Sequence, residues 1–273
     1  MTIGEALKHQ RIRLGLTQDE MIQGIIHKSH YSKIERGIEG ISAESLFKIL
    51  FAHHIDVDSF LELIKNEYIS ENEKRAEELE NKVRIAFNTS DKNEIENCLQ
   101  EVLKLPGNKV FKYRIIVAIA AFRGQLDELS VGIKEDIIKE FTRHDTWLGD
   151  IDALRLFGNC MQVFTEKQLN NCISQILKQY SNNNASERMI ERIAIICNNY
   201  LYYCYYYGYR NETNITKCLD YLEKLDCKSH YMFYRIAGFF FKYMFEGNKM
   251  KAKQIKDQLI MWGYGNRVIS WKI

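Results

Sequence analysis

The chain has 273 residues, enough for one or two domains, and is 46% hydrophobic and 27% charged, ordinary values for a folded globular protein. A net charge of +2 does not by itself point to nucleic acid, and a single proline, Pro106, with 15 glycines argues for helices over a sandwich or barrel. There is no run of about 18 apolar residues, and Glu5 and Lys8 interrupt the N-terminus, so neither a membrane span nor a signal peptide is expected and a cytoplasmic location is.

The most informative segment comes early. After Gly15-Leu16, Thr17-x-x-Glu20 reads as a capping box, with the threonine hydroxyl accepting from the Glu20 N–H and the glutamate reaching back. Met21, Ile22 and Ile25 then give an apolar face at helical spacing. A second helix is expected from Lys28 to Arg36, with Tyr31 and Ile34 sharing one face and Gly37 at the C-terminal stop. If Tyr31 and Ile34 point inward, Lys28, Ser29, Ser32 and Lys33 point outward, where a recognition helix touches base edges. Two short helices closed by Glu-Arg-Gly predict a helix-turn-helix that binds double-stranded DNA. The candidate DNA-binding residues are Arg11, Arg13, Gln18, Lys28, Ser29, His30, Ser32 and Lys33. Gln18 is expected to contact a phosphate or to buttress the next helix. Residues 1–65 hold 8 Lys/Arg against 9 Asp/Glu, so phosphate contact rests on the placement of the cations and not on the total.

Beyond residue 65 the pattern is helix after helix. Helices are expected from Ser70 to Phe87, from an Asp91 cap to Leu103, over Lys109–Arg123, from a Ser130 cap to Arg143, over Trp147–Phe164, from Thr165-x-x-Gln168 to Tyr180, and over Ser186–Tyr207, Asn214–Leu225, Ser229–Phe245 and Met250–Trp262. Their lengths suggest five antiparallel pairs with a period near 35–40 residues, in the tetratricopeptide range. Stacking such pairs yields a superhelix with a concave surface suited to an extended peptide.

Residues 1–64 resemble the helix-turn-helix domain of phage Cro and repressor proteins, which implies further helices at Ile3–Leu14, at Ala43–Phe51 after a Ser42 cap, and at Ser59–Ile64. The segments Gly24-Ile25-Ile26-His27-Lys28-Ser29 and Ile41-Ser42-Ala43-Glu44-Ser45-Leu46-Phe47 resemble the Rgg family of Gram-positive transcription regulators. The generic repressor pattern has a glycine in the turn before the recognition helix, a place that Ile25-Ile26 is read to occupy here. The resemblance implies an all-α chain: a five-helix Cro/repressor-type domain at 1–65, then a right-handed superhelix of antiparallel helix pairs at 66–273. It also implies a receptor for a short signalling peptide, as in quorum sensing.

Peptide-binding candidates are Arg155, Asn159, Arg192, Asn199, Tyr202 and Arg235, because they recur at helical spacing. An asparagine amide matches a peptide unit, and an arginine can take a carboxylate with two parallel bonds. The tyrosines at 200, 202, 203, 205, 206, 207 and 209 read as core first and as a ligand surface second. A homodimer is expected, since one helix-turn-helix makes few contacts, with the segment from Trp262 to Trp271 packing across the two-fold and a hinge near Lys65–Ser70. The alternatives are a phage-type or stress repressor whose helical domain only dimerises, and an enzyme fused to a DNA-binding module. No phosphate loop, catalytic triad or metal-ligand spacing favours the enzyme. Seven scattered cysteines without Cys-x-x-Cys spacing read as reduced buried thiols, with a redox sensor as the sharper option. No cofactor or metal is expected.

Overall fold

The computed structural model describes residues 1–89, 91–107, 109–142, 146–181, 185–209 and 211–273, leaving aside the side chains of residues 87, 88, 92, 122 and 127. It is all-α, with no strand among the described residues. The chain divides into two compact units, Met1–Glu80 and Asn81–Ile273.

The first unit opens with α1 (Ile3–Arg13), started by a Thr2/Glu5 capping box, and α2 (Gln18–Ile22), started by the Thr17/Glu20 box read from the sequence. Then come α3 (Lys28–Glu35), α4 (Ala43–Ala52) behind Ser42, and α5 (Val57–Tyr68) behind Asp56. Their apolar faces close one core of Ala6, Leu7, Met21, Ile22, Tyr31, Ile34, Leu46, Ile49, Leu50, Phe60 and Ile64.

Two backbone positions shape this unit. The turn between α2 and α3 does contain a glycine: Gln23 and Gly24 are both left-handed, at φ 45° and 77°. The expectation that Ile25-Ile26 replaces the usual glycine is therefore corrected, since the left-handed role falls one residue earlier; Ile25 and Ile26 instead pack against the core. Gly4 was passed over in the sequence. A Cβ there would lie 1.9 Å from the Ile34 carbonyl oxygen, so α1 and the end of α3 touch backbone to backbone.

The first unit does not stop at residue 65. The long helix α6 (Glu71–Thr89) follows α5 after a two-residue break, and Lys65 reaches back along it to Glu77 at 2.8 Å. The boundary between the units thus falls inside α6, and the segment expected to hinge, Lys65–Ser70, lies within the first unit.

The second unit continues with α7 (Lys92–Lys104), α8 (Lys109–Arg123), α9 (Val131–Phe141), α10 (Ile151–Asn159), α11 (Glu166–Gln179), α12 (Glu187–Tyr207), α13 (Glu212–Glu223), α14 (Met232–Phe245), α15 (Lys249–Leu259) and the short α16 (Gly265–Val268). Arg143 and residues 182–184, where a helix end and a loop are expected, lie outside the described residues. The helix expected over Trp147–Phe164 is in fact α10 flanked by single 3₁₀ turns at Trp147–Gly149 and Met161–Val163. Asp150 explains the first break: its carboxylate accepts from the N–H groups of Asp152 and Ala153, which starts a new helix there. A π-type turn, Ile260–Tyr264, with Gly263 at φ 88°, separates α15 from α16.

Alternate helices α8, α10, α12 and α14 lie side by side, each against the next, while α9, α11, α13 and α15 are their returning partners. Every pair therefore buries its apolar face against its neighbours, as a stacked repeat must. One continuous core results, from Val117 to Trp271. Small residues set the closest approaches: a Cβ on Gly158 would lie 3.1 Å from Ile196, and one on Gly238 3.1 Å from Leu222.

Candidate functional site

The helix-turn-helix is held by one polar cluster. Glu35, at the end of α3, has a side chain only 4% exposed. Arg11 Nε and Nη2 donate to its two oxygens at 2.6 and 3.0 Å, and Gln18 Nε2 donates to Oε2 at 2.8 Å. The remaining arm of Arg11, Nη1, donates to the Leu16 carbonyl at 3.0 Å. Burial pushes the Glu35 carboxyl up, but the hydrogen bonds from Arg11 and Gln18 and the charge of Arg11 outweigh it and hold the carboxyl below its ordinary value. Three helices are thereby joined at one carboxylate.

These contacts give Arg11 and Gln18 roles inside the unit. Arg11 makes three hydrogen bonds there, one from each guanidinium nitrogen, and acts as a clamp on α3. Gln18 buttresses α3, the second of its two expected roles. Arg13, by contrast, stands exposed in the last turn of α1.

Along α3, Tyr31 and Ile34 are buried, and Lys28, Ser29 and Lys33 are exposed, with Ser32 half-buried between them. Both lysines have acidic neighbours: Lys28 pairs with Asp19 of α2, and Lys33 with Glu39 at 2.6 Å. Such exposed pairs contribute about 0–1 kcal/mol, so either lysine is free to exchange its carboxylate for a phosphate or a base edge. His30 turns away from the front of the helix. Its Nε2 lies 3.2 Å from the Gly40 carbonyl oxygen and 3.6 Å from Glu39, against the loop after α3.

In the second unit a cavity of about 300 Å³ opens between α12, α14 and the C-terminal residues. Asn198, Asn199, Tyr202, Phe233, Phe241 and Trp271 line it. Asn199 Nδ2 donates to the Gly158 carbonyl at 2.9 Å and Asn198 Nδ2 to the Tyr234 carbonyl at 3.2 Å. These bonds fix both amides, and the buried Asn198 Oδ1 is left with no hydrogen-bond partner. A buried acceptor without a partner costs about 1–3 kcal/mol.

The six expected peptide-binding residues do not form one set. Asn199 and Tyr202 line the cavity. Arg192 lies on the same stripe of α12, seven residues before Asn199. Arg155, on α10, reaches Asp152 at 3.4 Å, and Asn159 donates to the Arg155 carbonyl at 2.7 Å, so it caps its own helix while staying exposed. Arg235 lies off this cavity. It sits about 100° round α14 from Tyr234, and its Nη1 donates to the Leu225 carbonyl at 2.8 Å and contacts Cys227 Sγ at 3.1 Å. Nothing in the sequence singles out Arg114 on the apolar α8, whereas Asn198 is read there as lying beside the stripe of Arg192 and Asn199.

The tyrosines divide as burial dictates. Tyr200 and Tyr203 are core, with hydroxyls on Asn170 and Gln162, while Tyr207 is 55% exposed. Burial pushes the Tyr206 hydroxyl up to about 12, and it donates to the Lys272 carbonyl at 2.6 Å. In the C-terminal segment, Trp271 is buried in its own unit, stacked on Phe240 at 4.3 Å between ring centroids, while Trp262 and Ile269 are exposed. All seven cysteines are free, only Cys227 being exposed, and no metal-holding group of side chains occurs among the described residues. No helix among them is long and apolar enough to cross a membrane.

Comparison with known proteins agrees with this architecture. Residues 7–58 match the helix-turn-helix family HTH_3. No curated protein sequence matches the chain. Among solved structures, a candidate transcriptional regulator from Listeria monocytogenes EGD-e superposes with a TM-score of 0.73 at 19% identity, covering 96% of this chain and 92% of its own. The SHP pheromone receptor Rgg2 of Streptococcus dysgalactiae gives 0.69 at 16% identity, covering 98% and 96%. PrgX in its complex with iCF10 gives 0.68 at 15%, covering 98% and 92%. The chain therefore carries a helix-turn-helix domain of the HTH_3 family and has, over nearly its whole length, the fold of the Rgg2 and PrgX regulators.

Proposed function

We propose that this protein is a sequence-specific DNA-binding transcription regulator whose affinity for its operator is set by a short peptide held on the α10–α12–α14 face of the second unit. The observation that carries the peptide half is the cavity of about 300 Å³ between α12, α14 and the C-terminal residues. Asn199 and Tyr202 offer polar edges, and Phe233, Phe241 and Trp271 offer apolar walls. Relatives of the same fold include one described as a pheromone receptor, which supports the reading. The DNA half rests on the exposed row Lys28, Ser29 and Lys33 at the front of α3, with Arg13 available for a phosphate.

The protein acts as a homodimer in this reading, since two heads read two half-sites. The face of α14 and α15 around Phe239, Tyr243, Ile255 and the 56%-exposed Trp262 supports a contact with a second copy, because it is where a further repeat would stack.

The test of the DNA half uses the full chain and a duplex selected from a random pool. Ser29→Ala and Lys33→Ala are each expected to weaken binding by about 1–3 kcal/mol if they touch bases. In a gel-shift titration, two variants that both bind like wild type would show that another surface meets the DNA.

A further inference from the structure

Both lysines of α3 are paired with a carboxylate brought from another element: Lys28 with Asp19 of α2, and Lys33 with Glu39 of the loop after α3, at 2.6 Å. Neither pair is the local kind that supports a single helix, such as Glu44 and Lys48, four residues apart on α4. Glu39 also has His30 of α3 3.6 Å away, so its carboxylate is held over the helix between two of its side chains. The hydrogen bond from Lys33, with the charges of Lys33 and His30, outweighs burial and holds the Glu39 carboxyl below its ordinary value. Residues 1–65 hold 8 Lys/Arg and 9 Asp/Glu, a net −1; without Asp19 and Glu39 the balance would be +1. A unit that must sit on a polyanion thus places two acids at the helix that would touch it.

We propose that Asp19 and Glu39 are specificity-determining residues, which hold Lys28 and Lys33 back from phosphates and leave them to neutral acceptors on base edges, the O6 and N7 of guanine first among them. The proposal rests on the DNA reading above. An ammonium group has three donors, so a lysine can keep its carboxylate and still give its other donors to a base. A base edge is neutral and leaves the carboxylate where it is. A phosphate either sits beside the carboxylate and repels it, or displaces it, and the freed carboxylate then takes up a cation from solution. That uptake offsets the counterion that the duplex releases, and counterion release is the source of sequence-independent binding. The two acids therefore weaken binding to any duplex through its phosphates, and weaken it least where the bases beneath α3 match.

Fluorescence anisotropy with the full chain tests this, using a duplex selected from a random pool and a random-sequence duplex of the same length. Asp19→Asn and Glu39→Gln should each tighten binding to the random duplex about 3–10-fold at about 0.1 M salt, and steepen the fall of log K with log salt by about 0.9. The selected duplex should gain less, so that the ratio of the two affinities falls. Glu71→Gln is the control for net charge: it removes the same charge from the Glu71–Lys74 pair of α6 and should leave the ratio unchanged. A double variant that keeps the wild-type ratio would overturn the proposal, and so would a control that lowers the ratio as much. Asp19 stands in the first turn of α2, where a negative charge is favoured. If Asp19→Asn lowers the melting temperature, Glu39→Gln, outside the helices, decides alone.

If the random pool yields no selected duplex, the DNA reading fails, and a DNA-free measurement decides separately whether the acids screen α3 from polyanions. On immobilised heparin, a sulfated polyanion, Glu39→Gln should elute at higher salt than Glu71→Gln, although both carry the same net charge. Equal elution would overturn the screening.

Discussion

Glu35→Ala is expected to destabilise the helix-turn-helix unit by about 3–5 kcal/mol, because it strands the Arg11 guanidinium and the Gln18 amide in a half-buried site. Against a typical domain stability of about 5–15 kcal/mol that is a large fraction. The chain offers a clean readout. All three tryptophans, at 147, 262 and 271, belong to the second unit, so their fluorescence reports that unit alone. In urea the variant should lose part of its far-UV circular dichroism at lower denaturant while the fluorescence transition stays in place. A paired replacement, Arg11→Met with Glu35→Leu, should recover much of the loss, since it removes both charges together. The same carboxylate predicts an acid limit. Its folded value lies below its ordinary 4.5, so its stabilisation is fully present above that value and is lost as pH falls through the depressed one. A Glu35→Ala protein whose circular dichroism melts like wild type would contradict the clamp.

The second large effect is expected at Gly4. An alanine there places its methyl 1.9 Å from the Ile34 carbonyl oxygen, and both elements in contact are backbone, so no side chain can swing aside. Overpacking of this kind costs about 1–3 kcal/mol and occasionally more, against about 1 kcal/mol gained from helix propensity. Gly4→Ala should therefore lower the stability of the first unit and displace the C-terminal end of α3. Gly132, in α9, is the control. Nothing lies within 4 Å of its Cβ position, so Gly132→Ala should be neutral or stabilising by up to about 1 kcal/mol. A Gly4→Ala protein as stable as wild type would mean that α1 can slide on α3.

What the sequence revealed, and what it hid, follows from the range of the interactions concerned. The caps at Thr17, Ser42, Asp91, Ser130, Thr165 and Ser186 are local chemistry within three residues, and each opens a helix where it was expected. Tyr31 and Ile34 point inward because helical periodicity alone fixes their face. Contacts between distant segments left no such trace. Arg11 looked like a surface cation because its partner lies 24 residues away, and Gly4 looked like any helical glycine because the Ile34 carbonyl is 30 positions on. Arg235 repeated the right spacing one step round the helix from the cavity. Arg114 leaves no sign in the sequence because a second cation on a neighbouring helix exists only after the helices have stacked.

The central claim is that a peptide bound to the second unit changes how the first unit holds DNA. The direct measurement is an anisotropy titration of the full chain against a duplex selected from a random pool, with and without a saturating short peptide selected for binding from a random library. A ligand shifts such an equilibrium only by its differential affinity for the two states, and couplings of this kind typically change affinity about 5–150-fold. The account predicts a shift of the DNA-binding curve within that range, in either direction. A peptide that binds the protein while the DNA titration stays unmoved would contradict it.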